Sequence, residues 1–351
     1  EEMIRYWDYP GERFEVETRD GYLLGLFRIS GGRIMPEEFP RPEALCKPVL
    51  LLVHGFTADG SQFVVNTPET APGARRFWDF SMDEHALLDL PAIIDTIIDV
   101  TDVDAIYYLG HSQGGVIGLS MLADLPEYNN KIRAVFFWAP VSSSYYARGV
   151  VKVAHTFCWF VQPFLDLWGG IMGRDMLIGR RGFYGAIGAA TCRRDPITSL
   201  CGDIAGLALG RTAAPYNISR TAVYFSHFLG GTTIKNVKHW VQMGLRPANR
   251  HFDYGPWENQ RLYGGPRPPF YDYSRVDVPV HLFSGTRDFL ATPREVEELT
   301  RRLGDVVRSH IVVPGYAHLD FSFALNAVDE VYRPMIEMIR ESEEARPTLC
   351  A

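Results

Sequence analysis

Gly110-His111-Ser112-Gln113-Gly114 constrains the fold of this 351-residue chain more than any other segment, because of what flanks it. The apolar run Ala105-Ile106-Tyr107-Tyr108-Leu109 leads into it as a short buried strand. A helix-like stretch from Gly115 to Leu125 leads out. With Gly at 32 of 351 positions and Ser near one in twenty, chance alone supplies about 0.15 matches to G-x-S-x-G. The pentapeptide by itself therefore decides little, and a Gly-rich turn with a capping serine would account for it. The flanks favour something sharper: a strained strand-to-helix turn that lifts the serine above a sheet edge. Glycines keep side chains out of such a crowded turn, and the new helix aims its N-terminal amides at whatever the serine holds.

The rest of the chain repeats this strand–helix rhythm at both ends. Phe14–Thr18 and Tyr22–Ile29 are strand-like and joined by Arg19-Asp20-Gly21, whose Asp-Gly pair signals a hairpin. Pro48-Val49-Leu50-Leu51-Leu52-Val53 is continuously apolar, as expected of a strand buried on both faces of a parallel sheet. Ser81-Met82-Asp83-Glu84 has the spacing of a capping box. The segment after it carries Leu87, Leu90, Ile94, Ile97 and Ile98 at helical spacing, with a kink or restart at Pro91. Ala134–Trp138 is a further strand.

From Ser142 to about Tyr273 the rhythm dissolves into helical pieces with many Gly and Pro and no clear buried strand. Strands resume at Val278–Phe283 and His310–Val313, and a helix from about Val328 to Ile339 closes the chain. A parallel sheet covered by helices on both faces and an elbow serine together predict the α/β-hydrolase fold. Residues 1–141 and 274–351 would form its core, and residues 142–273 a helical cap or lid inserted into it.

Composition narrows the function classes. A net charge of −7 and the lack of any Lys/Arg run argue against nucleic acid as a partner. The longest apolar uncharged stretch, Val153–Leu165, is interrupted by Pro163 and falls short of the about 20 residues a membrane-spanning helix needs. A transmembrane segment is therefore not expected. Phe157-Cys158-Trp159-Phe160-Val161 within it suits either a lipid surface or an ordinary buried helix. The five cysteines lack metal-ligand spacing, so no metal site is expected, and acyl transfer through a serine would need no cofactor. Glu1–Arg5 has no basic or apolar leader character, which implies that a signal peptide is absent from this chain or already removed.

A serine hydroxyl needs a base, and in this fold the partners follow in the order Ser, acid, His. Among ten histidines, His318 lies just after the last strand, where a loop would return over Ser112. Asp288 follows the preceding strand in the same way. Asp320 and Asp277 are rival acids. Asp320 is close to His318 in sequence, and Asp277 precedes its strand rather than following it. His281 and His310 fall within or at the start of strands and read as structural. His54-Gly55-Phe56 follows the 48–53 run, a turn that would offer the Phe56 N–H to a developing oxyanion beside the Gln113 N–H.

These residues, with others, closely resemble the acid lipase family of gastric and lysosomal lipases. The likeness covers nearly the whole chain. It includes Tyr6-Trp7-Asp8-Tyr9-Pro10, Thr18-Arg19-Asp20-Gly21-Tyr22, the Gly110–Gly114 pentapeptide, His239-Trp240-Val241-Gln242 and His318-Leu319-Asp320-Phe321. The resemblance implies a triad of Ser112, Asp288 and His318, with oxyanion donors at Phe56, in place of the usual leucine, and Gln113. It implies hydrolysis of triacylglycerols or cholesteryl esters at a lipid–water interface, in a secreted or lysosomal protein. It further implies a cap disulfide between Cys192 and Cys201 and N-glycosylation, for which Asn217-Ile218-Ser219 is the one acceptor triplet.

One departure stands out. The family has a further sheet strand and an Asn-Ser-Arg-Gly turn between the oxyanion loop and a Phe-Trp-x-Phe-Ser stretch. Here Thr70–Arg76 runs almost directly into Phe77-Trp78-Asp79-Phe80-Ser81, so that strand is expected to be missing. Its loss leaves neighbouring strand edges unpaired or forces them together. The competing reading is accordingly a non-catalytic lipid-binding or carrier protein on the same fold.

Overall fold

The computed structural model describes residues 2–6, 8–31, 48–56, 78–172, 176–178, 206–217, 224 and 231–345. Its strands are β1 (Gly11–Glu17), β2 (Leu23–Ile29), β3 (Leu50–Val53), β4 (Ile106–His111), β5 (Ile132–Trp138), β6 (Met176–Ile178), β7 (Thr232–Thr233), β8 (Val280–Gly285) and β9 (Val307–Val313). The helices that matter for the site are α1 (Leu90–Thr101), α2 (Gln113–Asp124), α3 (Gly149–Thr156), α4 (Cys158–Met172), α5 (Ile234–Met243), α6 (Pro256–Tyr263), α7 (Pro293–Leu303) and α8 (Arg333–Glu344).

β1 and β2 form the expected antiparallel hairpin, paired from Gly11↔Ile29 to Glu17↔Leu23. Gly21 in its turn takes φ +87°, a left-handed value that glycine reaches without a Cβ penalty. The five strands β3-β4-β5-β8-β9 make one parallel sheet in that order. β4 is buried at every position, which is why its sequence is apolar without alternation. Tyr107, Tyr108, Phe136, Phe137 and Phe283 are among the sheet's largest fully buried side chains, and a buried Phe stabilises the fold by roughly 1.5–3 kcal/mol. α2 packs on the sheet with every residue from Gln113 to Ala123 buried.

β3 corrects one expectation. Its apolar run reads as covered on both faces, yet Leu51 is buried while Leu52 is 39% exposed. The reason lies in the topology: β3 pairs with β4 alone and is the edge of the described sheet. Residues 57–77, where the sequence departs from its family, lie outside the described residues. The capping box is present, with Ser81 accepting from Asp83 N–H and Glu84 accepting from Ser81 N–H. Between it and α1 the helix widens into a π-turn over His85–Asp89. Pro91, lacking an N–H and crowding the carbonyl four residues back, accounts for that widening.

Between β5 and β8 the chain leaves the five-stranded sheet. The described residues there include α3 to α6 and the short antiparallel pair β6–β7, a strand pair the sequence did not reveal. This stretch is tied to the sheet's helices by a buried charged cluster around Asp83. Its carboxylate accepts from Phe252 N–H at 2.8 Å and from the Tyr271 hydroxyl at 2.6 Å. His251 lies between two carboxylates, Nδ1 at 3.6 Å from Asp83 and Nε2 at 3.0 Å from Asp124, and stacks on Tyr271. His239 completes the cluster, 3.9 Å from Asp83.

Burial alone would lower the His251 pKa, but the two carboxylates reverse this and raise it to about 9. Asp83 responds in the opposite sense. Burial would raise it, but His239 and His251 hold it well below the usual carboxylate range. A raised histidine pKa contributes stability that is complete below about 6.5 and lost as pH climbs through about 9. His251→Gln should therefore cost roughly 3 kcal/mol at pH 6, because it leaves the buried Asp83 and half-buried Asp124 carboxylates facing each other. The gap to the unmutated protein should close above pH 9. Thermal unfolding of both proteins across this range checks it; a gap that does not change with pH would mean that shape, not charge, matters there.

Candidate active site

The carboxyl ends of β4, β8 and β9 converge at one edge of the sheet, where open α/β sheets hold their ligands. Ser112 follows β4 directly and caps α2 with φ 55° and ψ −115°. A non-glycine residue in that region costs on the order of 1–3 kcal/mol and persists only when its surroundings enforce it. The flanking glycines show what enforces it. A Cβ on Gly110 would lie 2.6 Å from the Gly114 carbonyl, and one on Gly114 would lie 2.4 Å from the Val53 carbonyl oxygen. Strand, turn and helix are packed too closely there for any side chain.

The loops after β8 and β9 bring the two partners to this serine. His318 Nε2 lies 2.7 Å from Ser112 Oγ, and His318 Nδ1 lies 2.8 Å from Asp288 Oδ2. All three are buried, at 3% exposure for Ser112, 2% for His318 and 1% for Asp288. The second Asp288 oxygen accepts the N–H groups of Leu290 at 2.7 Å and Ala291 at 2.9 Å, which fixes the carboxylate plane. With Asp288 accepting at Nδ1–H, His318 Nε2 is left as an acceptor for the serine proton.

The two loops also brace each other. Arg287 N–H donates to the Tyr316 carbonyl at 2.9 Å, and the Leu209 carbonyl accepts from both His318 N–H and Phe289 N–H. His111 donates from Nε2 to the His318 carbonyl at 2.9 Å. Burial first, and the neighbouring His318 second, lower its pKa to about 3, so it is neutral near pH 7. Neither Leu209 nor His111 was legible as a site residue. His111 is the variable position of G-x-S-x-G, and Leu209 acts only through its backbone.

The rival acids are placed elsewhere. The Asp320 carboxylate accepts the Ala317 N–H at 2.6 Å, staples the loop that carries His318, and has its pKa raised by burial. Asp277 is exposed, and its backbone N–H donates to Asn129. His281 stacks on Phe136 and bonds Ser309, and His310 bonds Ser284; all of these link neighbouring strands of the sheet.

The oxyanion candidates flank the elbow. Gly55 is packed so closely that a Cβ would lie 3.2 Å from the Ser112 Cβ, which puts the His54-Gly55-Phe56 turn beside Ser112. Gln113 is the first residue of α2, where an N–H has no partner within the helix. Among the described backbone hydrogen bonds, neither the Phe56 nor the Gln113 N–H is a donor. Their side chains are held instead by α5. The Trp240 indole N–H donates to Gln113 Oε1 at 2.6 Å, and the Trp240 ring meets Phe56 edge to face at 5.6 Å. Asn217 is half-buried, while Ile218, Ser219, Cys192 and Cys201 lie outside the described residues.

Comparison with known proteins fits this geometry. The family described as "Partial alpha/beta-hydrolase lipase region" matches residues 1–67, and the one described as "alpha/beta hydrolase fold" matches residues 48–151. "Gastric triacylglycerol lipase" of Rattus norvegicus is 32% identical, aligned over 97% of this chain and 91% of its own length. "Lipase member K" of Homo sapiens is 30% identical over 97% of this chain and 90% of its own length. Among solved structures, a hypothetical protein from Pseudomonas aeruginosa superposes with a TM-score of 0.53 at 14% identity, over 97% of this chain and 94% of that one. That last likeness bears on the fold alone. Taken with the near-complete coverage by its lipase relatives, the elbow serine and its two loop partners identify this chain as an α/β hydrolase belonging to the acid lipase family of gastric and lysosomal lipases.

Proposed function

We propose that the chain hydrolyses neutral lipid esters, triacylglycerols or cholesteryl esters, through an acyl-enzyme on Ser112. The observation that carries this is the unbroken chain Asp288–His318–Ser112, with links of 2.8 and 2.7 Å around a strained, buried serine. Ser112 Oγ attacks the ester carbonyl as His318 takes its proton, and Asp288 orients the imidazolium. The Phe56 and Gln113 N–H groups receive the oxyanion. His318 then returns the proton to the departing alcohol, and water repeats the sequence in reverse on the acyl-enzyme. No cofactor enters. A carrier on the same fold is less well supported, since lipid binding alone would have no use for an aligned base and a costly serine conformation.

Residues 142–273 serve in this reading as a cap and lid over the serine. Phe157, Phe160, Phe164, Leu167 and Trp168 recur at helical spacing on and just before α4, and all are exposed; Phe164 is 60% and Leu167 62% exposed. A stripe of that kind fits a lipid surface better than a buried helix contact, the other option left by the sequence. Secretion or lysosomal delivery, a Cys192–Cys201 disulfide and a glycan on Asn217 complete the proposal on family likeness alone.

The test has two arms. A short-chain p-nitrophenyl ester should be turned over, and a serine-directed phosphonate should abolish turnover while adding to Ser112. Phe164→Ser with Leu167→Ser should weaken hydrolysis of emulsified long-chain esters several-fold and spare the soluble ester. A folded protein that turns over neither ester and takes no phosphonate sinks the proposal. If the double variant loses both activities together with thermal stability, the stripe is packing and only the lid reading falls.

A further inference from the structure

α5 lies within residues 142–273, far in sequence from the elbow, yet it reaches the residue next to the nucleophile. Asn236 and Trp240 stand four apart on α5 and so share one face of it. Both donate to the same atom, Gln113 Oε1, at 2.6 Å from Trp240 Nε1 and 3.3 Å from Asn236 Nδ2. The Trp240 ring also closes on Phe56, the other oxyanion candidate, at 5.6 Å. One face of one helix therefore touches both residues whose backbone N–H groups would hold the oxyanion.

Three features indicate that this contact is held in place. α5 is fixed at its start, where Thr233 Oγ1 accepts from Asn236 N–H at 2.9 Å and donates to the Phe80 carbonyl at 2.6 Å. Lys235 pairs with Glu84 at 2.6 Å and locks the same turn to the capping box. Asn236 is itself buried, and its Oδ1 has no hydrogen-bond partner among the described residues. The Asn236 side chain contributes through its amide nitrogen, which donates. That nitrogen is shared between Gln113 Oε1 and Thr232 Oγ1.

We infer that Trp240, with Asn236, positions the oxyanion hole by anchoring the Gln113 side chain, so that helix α5 and the reacting centre are mechanically one unit. Gln113 begins α2, and anchoring its side chain limits the rocking of the peptide whose N–H faces the substrate. Preorganised donors work because they do not have to reorient during reaction. Neither residue touches the reacting atoms, so both act through Gln113 and, for Trp240, through Phe56. The inference rests on the ester-hydrolase reading and adds a control point to it: a displacement of α5 would loosen the hole before it uncovered the serine.

Trp240→Phe keeps an aromatic ring at this position of α5 and removes the indole N–H together with the five-membered ring that carries it. Removing an oxyanion donor outright costs about 10²–10³ in turnover, so loosening one should lower kcat on a soluble ester by about 10-fold. KM should stay unchanged. Phosphonylation of Ser112, which builds the same tetrahedral oxygen, should slow in parallel. Asn236→Ala should act in the same direction and more weakly, and serves if the tryptophan variant does not fold. In a Gln113→Leu background, which retains the backbone N–H but lacks the anchor atom, Trp240→Phe should have little further effect on kcat.

A raised KM with normal kcat would make Trp240 a wall of the substrate pocket and overturn the inference. A lowered Tm with normal kcat and normal phosphonylation would make it packing, with the same result. Full additivity in the Gln113→Leu background would also overturn it. An unmutated protein that neither hydrolyses esters nor takes the phosphonate overturns the hydrolase reading and this inference together. An active protein indifferent to these substitutions overturns this inference alone.

Discussion

Ser112→Ala should remove ester hydrolysis by roughly 10⁶-fold in turnover, the scale seen when a serine triad loses its nucleophile or its base. The reason is geometric. His318 Nε2 sits 2.7 Å from Ser112 Oγ, within reach of its proton. Without it, the Phe56 and Gln113 N–H groups can still polarise a bound ester, so some catalysis over water remains. His318→Ala should be similarly severe, because the serine proton then has no acceptor within reach. Combining the two substitutions should cost little more than either alone, since nucleophile and base act as a unit. The measurement is single-turnover and steady-state hydrolysis of a soluble ester by variants whose Tm and circular dichroism match the unmutated protein. Near-normal turnover in folded Ser112→Ala would remove Ser112 from the mechanism.

Most of this site was legible in the sequence because its parts are local. A buried strand, a glycine-flanked serine and a helix occupy one contiguous window, and each has its own signal. Chain order in this fold selects His318 and Asp288 as candidate partners, and the loops after β8 and β9 do bring both to Ser112. The strands themselves were legible for the same reason: a buried parallel strand needs apolar residues on both faces. β3 shows the limit of that rule. An apolar run states that burial is favourable, not which neighbours cover it, and Leu52, at the edge of the sheet formed by the described residues, is part-exposed. What stayed hidden was contact between distant segments. Trp240 and Gln113 are separated by 127 residues, and the cluster around Asp83 draws on five separate stretches. Helical spacing shows that Asn236 and Trp240 share a face, but not what that face meets. Backbone groups such as the Leu209 carbonyl leave no residue-type signal at all.

Asp288→Asn should lower turnover on the order of 10⁴-fold, and Asp320→Asn should be far milder. The two aspartates are close in space to the same histidine, so the contrast tests geometry rather than charge. Asp288 Oδ2 accepts from His318 Nδ1 at 2.8 Å, which holds the imidazole in the tautomer with a free Nε2. An asparagine there can present its NH₂ to Nδ1 instead, since the other Asp288 oxygen is already committed to the Leu290 and Ala291 N–H groups. Nδ1 then becomes the acceptor, Nε2 carries the proton, and the serine faces a donor where it needs a base. The loss should therefore shrink at alkaline pH, where hydroxide can take over the proton from serine. Asp320 instead accepts the Ala317 N–H at 2.6 Å and shapes the loop that carries His318. Burial raises its pKa, so replacing it with a neutral isostere should be tolerated better than the same change at Asp288. Asp320→Asn should show mainly as a lower Tm, with kcat reduced less than about 10-fold, the range of a lost orienting contact rather than a lost tautomer. Steady-state kinetics on the two variants at neutral and alkaline pH separate these outcomes. If Asp320→Asn proved the more damaging to kcat while both variants stayed folded, Asp320 would be the orienting acid and Asp288 the structural one.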